Sequence, residues 1–363
     1  MTRSTDNRWL HRFAILCAVG TLVLVWVGGM VTTRGAGMAV PDWPTTYGYN
    51  MFFFPFSQWV GGIFYEHSHR LLASGIGFLT VLLAVWTWLK EERRWVRHAA
   101  LLALFAVCLQ GLLGGLRVTA MKDEIGIFHA TLAQLFFGLT VAIALFTSRW
   151  WVAANRSELR VEGDPRVRSL FGAVTVLILG QLVLGATMRH QHAGLAIPDF
   201  PTAYGKLWPE TDPAAVSRYN QARGEVNALN PITAGQVRLQ MAHRLTALAI
   251  LVAVAWLAGK TRRTFGGRSL LGRLALAWLG LILVQATLGA ATLWTNKAAD
   301  VATAHVAVGA LSLAAGCLLT LVAVRLRIEA PSTGPGDGSS DGRASVPRVL
   351  SRNSPPSIST AST

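Results

Sequence analysis

Charge is what this chain has least of. Asp, Glu, Lys and Arg make up 14% of its 363 residues, where a soluble domain carries about 25%. That shortage excludes an ordinary soluble enzyme and a disordered protein. Cysteine is scarce as well: Cys17, Cys108 and Cys317 all lie inside apolar runs, which leaves neither a disulfide framework nor a thiolate metal site. Acidic residues are outnumbered, 18 against 33 basic, for a formal net charge of +15. Such a surplus can suit nucleic acid. In a chain that is 52% hydrophobic it fits better the basic cytoplasmic loops of a membrane protein, and no nucleic-acid partner is expected.

Long apolar sequence is what the chain has in abundance. Runs at 13–33, 69–89, 99–118, 127–147, 169–188, 239–258, 274–294 and 302–324 are each long enough to cross roughly 30 Å of hydrocarbon. The connections sort by charge. The N-terminus (Arg3, Arg8, Arg12) and the loops at 90–98, 148–168 and 259–273 are basic, and they alternate with connections poor in Lys and Arg at 34–66, 119–126 and 296–301. The 189–238 loop holds five basic residues, but long loops count less toward orientation. Both termini are therefore predicted cytoplasmic, in the inner (plasma) membrane, with the two longest loops outside. The first run has the basic start of a signal peptide, but a counterpart in mid-chain assigns it to the bundle. Residues from about 329 are rich in Ser, Pro and Gly and cannot bury a core.

The chain repeats itself. Gly35–Gly48 (GAGMAVPDWPTTYG) returns as His192–Gly205 (HAGLAIPDFPTAYG), with Pro41, Asp42, Pro44, Tyr47 and Gly48 matching Pro198, Asp199, Pro201, Tyr204 and Gly205. Glu66-His67-Ser68-His69-Arg70 matches Gln240-Met241-Ala242-His243-Arg244, His129 matches His305, and Gln110–Gly114 matches Gln285–Gly289. An even number of spans per repeat gives both halves the same orientation. The predicted fold is an all-α integral membrane protein, eight transmembrane helices as two repeated four-helix bundles. Its parts are a cytoplasmic N-terminus (1–12), an N-terminal half (13–147), a cytoplasmic linker (148–168), a C-terminal half (169–325) and a disordered cytoplasmic tail (326–363).

Of nine histidines, His11 and His98 fall in cytoplasmic segments and His190 and His192 in an outer loop, where they read as solvated. His67 reads as facing the interface. His69, His129, His243 and His305 differ, because each starts an even-numbered span near its outer end. An ionisable residue inside a span is costly and marks function. Two histidines on facing helices can hold one cofactor. Two imidazoles without carboxylates or thiolates suit a haem iron, which takes four ligands from its porphyrin, whereas zinc wants further protein ligands. Each half thus reads as a bis-histidine haem pocket. Arg70 and Arg244 follow two of these histidines, as partners for a haem propionate or as interfacial snorkelling residues. Glu66, one turn before His69, is matched by the amide Gln240. A carboxyl can do acid–base work and an amide cannot, so one pocket is expected to do chemistry and the other to hold a cofactor. The residues before proline in the Pro-Asp-aromatic-Pro segments avoid helix, so these segments read as extended lids over the pockets, with Asp42 and Asp199 tying each loop. Trp43, Trp59 and Trp208 fit an interfacial aromatic belt.

With Glu66-His67-Ser68-His69-Arg70, His129, His243-Arg244, His305 and the twice-used Gly-x-x-x-Pro-Asp-aromatic-Pro loop, the chain resembles the haem A synthase family over residues 13–325. The resemblance implies a membrane oxidoreductase that converts the ring methyl group of haem O to a formyl group by successive hydroxylations, giving haem A for terminal oxidases. It implies haem b as cofactor on His243 and His305 with Arg244 beside it. It places the substrate iron at His69 and His129, with Arg70 at a substrate propionate and Glu66 as the catalytic residue. Haem O, membrane lipid, haem O synthase and an electron-transfer protein are the partners to expect, and a homo-oligomer is consistent with it. Many relatives carry a loop cysteine pair where this chain has Val40 and Thr46. A bis-histidine dihaem cytochrome b is the alternative. It explains four histidines, but neither Glu66 against Gln240 nor four histidines at one depth. A parallel-repeat transporter explains the duplication alone.

Overall fold

A computed structural model describes residues 7–153, 161–223, 231–326 and 328–329. The long helices are α1 (Arg8–Thr33), α2 (Gly61–Lys90), α3 (Arg94–Thr119), α4 (Asp123–Phe146), α6 (Arg166–His190), α8 (Ala234–Phe265), α9 (Leu270–Trp294) and α10 (Ala299–Arg325). All eight are long and apolar enough to cross a membrane. Two short helices, α5 (Arg149–Ala153) and α7 (Pro213–Gln221), lie in connections.

Within the first half α1 packs on α2, α2 on α3, α3 on α4 and α4 back on α1; in the second, α6, α8, α9 and α10 close the same ring. Each ring buries its own core. Leu10, Cys17, Leu83, Phe136 and Ile143 fill the first. Phe171, Val254, Leu257, Trp278 and Leu319 fill the second, where the Trp278 indole N–H reaches Ser312 O at 2.9 Å, as a buried indole must. The halves meet along α1, α4, α6 and α10, where Phe137, Ala310 and Ala314 pack together. Small residues there let helices approach closely, as membrane packing favours.

The helices reach further toward the loops than the apolar windows. α2 begins at Gly61 and not near 69, and α8 at Ala234 and not near 239. Hydropathy detects only the hydrocarbon-crossing part, while backbone hydrogen bonding carries the helix through polar residues such as Glu66-His67-Ser68. His69 and His243 therefore lie inside their helices and do not start them. At the opposite end, β1 (Val161–Glu162) pairs in parallel with β2 (Ile328–Glu329). Lys260 bridges Asp164 at 2.8 Å, and Arg325 donates to Trp151 O. Ile328 and Glu329 fall in the segment that composition assigns to the tail, and their strand ties it to the 148–168 connection. The rest of the tail, from 330, lies outside the described residues.

Candidate functional site

The two Pro-Asp-aromatic-Pro segments are extended, as the prolines dictate, and each has a cis peptide bond, Trp43–Pro44 and Phe200–Pro201. Each is tied by its aspartate. Asp42 accepts from the Thr45 hydroxyl at 2.5 Å, Tyr47 N at 2.8 Å and Gly48 N at 2.9 Å. Asp199 accepts from Thr202, Tyr204 N and Gly205 N in the same order. Partial burial pushes each carboxyl up, but the Gly48 and Gly205 N–H groups, the threonine hydroxyls and the tyrosine N–H groups outweigh it. Both aspartates are held below the ordinary value. The turn needs positive φ at two successive residues, Tyr47 (49°) and Gly48 (78°), then Tyr204 (54°) and Gly205 (74°), and glycine takes the second without steric cost.

Each loop is latched to its bundle by the residues expected at the pockets. Arg70 Nη1 donates to Asp42 O and Thr45 O at 2.7 and 3.1 Å, and Nη2 to Val40 O at 2.8 Å. Arg244 does the same to Thr202 O, Asp199 O and Ile197 O. Glu66, 3% exposed, receives Val40 N at 2.8 Å on Oε2 and Arg70 Nη2 at 2.7 Å on Oε1. Its partner in the repeat, Gln240, receives Ile197 N on Oε1 and donates Nε2 to Gly194 O and Ile197 O. A buried carboxylate without partners would cost several kcal/mol; the loop N–H and the guanidinium supply them. The Nη groups of both arginines are thus engaged by loop carbonyls.

The four histidines sit in matched seats. A β-carbon added at Gly28 of α1 would lie 2.9 Å from Cε1 of His69; at Gly114 of α3, 3.3 Å from His129; at Gly185 of α6, 3.3 Å from His243; and at Gly289 of α9, 3.1 Å from His305. Each imidazole therefore packs closely against a glycine of the preceding long helix, where a β-carbon would crowd it. Gln110 Nε2 donates to His129 O and Gln181 Nε2 to His243 O, at 3.0 and 2.9 Å, while His305 Nδ1 meets Gln285 O at 3.2 Å. The histidines pair within halves, His69 with His129 and His243 with His305, close enough for one charge to act on the other. The Nδ1 atoms of His69, His129 and His243 are buried without a hydrogen-bond partner. Among the described residues no cluster of three or more His, Cys, Asp or Glu forms. Half-buried imidazole pairs without added carboxylate or thiolate fit a haem iron and do not fit a multi-ligand metal ion.

Three other histidines depart from their expected solvated or interfacial places. His67 is fully buried: Nδ1 lies 3.2 Å from the Thr46 hydroxyl, and the ring packs on Phe54 and Trp59. His11 Nδ1 reaches Ala144 O of α4 at 2.9 Å. His190 is buried against Gly126. A polar ring beside an apolar span is better hidden against a carbonyl or glycine than left in lipid, and charge sorting by loop does not reveal such a seat. Val40 and Thr46 are both fully buried; one supplies the N–H that Glu66 holds and the other the hydroxyl beside His67.

Gln110–Gly114 and Gln285–Gly289 have a third copy, Gln181-Leu-Val-Leu-Gly185 on α6, with Leu24–Gly28 on α1 as the degenerate fourth. The full Gln-x-x-x-Gly spacing marks the glycines that seat His129, His243 and His305.

Residues 11–317 match the model of a family described as cytochrome oxidase assembly protein, COX15-CtaA. Relatives carrying the name heme A synthase include one from Shouchella clausii, 26% identical over 80% of this chain and 89% of the relative. Another, from Rhizorhabdus wittichii, is 29% identical over 84% and 91%, and one from Halalkalibacterium halodurans is 27% identical over 88% and 98%. With the family match spanning both bundles and all four histidine seats, this chain belongs to the COX15-CtaA family of cytochrome oxidase assembly proteins.

Proposed function

We propose that this protein is a haem A synthase, an oxidoreductase of the inner membrane that converts the ring methyl group of haem O to a formyl group through successive hydroxylations. The observation that carries the reading is the pairing of matched, glycine-seated histidines with one unmatched side chain, Glu66 against Gln240. His243 and His305 hold haem b as resident cofactor, and His69 and His129 hold the substrate iron. Haem b supplies one-electron chemistry when bound. The chain's own contribution lies around it: glycines set the imidazole positions, latched loops cover the outer ends of the bundles, and the cores exclude water.

Glu66 is the group suited to hold or pass a proton on the substrate side. It lies one turn from His69, and its carboxylate is already positioned by Val40 N and Arg70. Gln240 fills the same position with an amide, which latches the loop and takes no part in proton transfer. Basic loops on the β1–β2 side favour a cytoplasmic location for that side, with pockets toward the outer face. Haem O synthase and an electron-transfer protein are the partners this activity needs.

The test is the extracted haem profile of membranes supplied with haem O. Haem A that depends on the protein is the expected result. Two tightly bound haems b per chain with no haem A would instead favour a dihaem cytochrome b. An unchanged yield with Glu66→Ala would remove Glu66 from the chemistry.

A further inference from the structure

Arg189 lies four residues after Gly185 in the last turn of α6. It therefore shares the helix face that seats His243 and stands one turn nearer the helix end. Its guanidinium crosses into the other half. Nη2 donates to Gly29 O and to the Thr33 hydroxyl of α1, next to the Gly28 that seats His69. α10 arrives at the same level: the Thr303 hydroxyl is 3.4 Å from that of Thr33, two residues before His305. Both acceptors of Arg189 are neutral oxygens, and its Nε is buried without a partner. Its charge reaches His305 and the nearby cations Arg117 and Lys297.

A half-buried guanidinium whose Nε is shut away from water, held by neutral oxygens and flanked by cations, is costly unless an anion completes it. Haem carries two propionate carboxylates, the geometry an arginine fork matches. Arg244, the partner expected from sequence, already donates from both Nη groups to three loop carbonyls, and only its Nε, like that of Arg189, is buried without a partner. We propose that Arg189 is the propionate-binding residue of the C-terminal pocket, and that the carboxylate it binds neutralises the seam between the two halves. This rests on the placement of haem b at His243 and His305. A cation beside the porphyrin favours the ferrous state, so removing it lowers the midpoint potential.

The experiment is a potentiometric titration of haem b in the full-length, detergent-solubilised protein, with transfer of haem to excess apomyoglobin as a second readout. Arg189→Met is expected to raise the ferric-to-ferrous ratio about tenfold at fixed ambient potential, about 59 mV for one electron. Arg189→Lys, which keeps the charge and loses the fork, is expected to stay nearer the wild-type potential and release haem several-fold faster. Where Arg189→Met does not accumulate, the Lys variant decides by its release rate. Haem-loaded variants with wild-type potential and release rate would overturn this inference alone. A wild type without haem b would overturn it together with the proposed function.

Discussion

The two outer loops share one scaffold and differ in what surrounds it. In the first, the turn runs into an aromatic stretch left open, with Phe53 and Phe56 about four-fifths exposed and the latch made by an ion pair, Glu66–Arg70. In the second, the latch is an amide. The loop is roofed by α7, with Tyr204 and Tyr219 stacked at 3.5 Å and Asn220 exchanging two hydrogen bonds with Ile232. A buried cluster of Ala196, Ile197, Ala203, Ile232, Val237 and Met241 lies beneath. The same backbone turn is thus roofed by a helix on one side and packed on the other by the ring of Phe54, which meets Tyr47 and Tyr49. On our reading the helix-roofed lid keeps a permanent cofactor, and the lighter one serves a pocket whose contents must exchange.

The sharpest way to break that comparison is to remove the seats. His243→Ala or His305→Ala is expected to abolish the resident haem b spectrum. His69→Ala or His129→Ala is expected to leave that spectrum and abolish haem A formation. A haem b spectrum that survives His243→Ala would invert the assignment. Next is the latch. Glu66→Ala is expected to lower haem A formation at least about 100-fold, the scale of lost acid–base catalysis. Because deleting one partner of a buried ion pair costs about 3–5 kcal/mol, retained haem b serves as its folding control. Gln240→Ala is expected to stay within a few-fold of wild type in the same assay.

Smaller effects sharpen the contrast. Gly28→Ala places a β-carbon 2.9 Å from His69, and Gly114→Ala 3.3 Å from His129. The first is expected to reduce conversion more than the second, read as haem A per milligram of protein. Tyr219→Ala removes a stacked pair worth about 0.5–1.5 kcal/mol beyond its burial, so haem b should leave up to about tenfold faster while the first loop is unaffected. The smallest effect is acidic. Asp42 and Asp199 have depressed folded-state values, so their contribution is full above the ordinary aspartate value near 3.9 and is lost as pH falls below it. Limited proteolysis should cut both loops faster there. Asp42→Asn should abolish the pH step in the first loop only.

Much of this architecture can be read without coordinates, because its signals are periodic or repeated. Long apolar runs give the spans, two proline-rich copies give the loops, and register between the halves singles out His69, His129, His243 and His305. What escapes depends on contacts between helices. Nothing in the apolar run of α1 marks Gly28 as the seat of His69, since the glutamine of the other three copies is Leu24 there. Nor does adjacency to His69 reveal that His67 turns away into Thr46, Phe54 and Trp59. Sequence sets Arg70 and Arg244 beside two of these histidines, but local sequence cannot show that loop carbonyls occupy their Nη groups. Arg189 looks like one more basic residue in a long loop until α1 is placed beside it.

The division of labour between the halves is tested most directly by one measurement, the haem extracted from membranes containing haem O and the wild-type protein. Haem A together with about one retained haem b per chain is the expected result. Two haems b per chain and no haem A would contradict it.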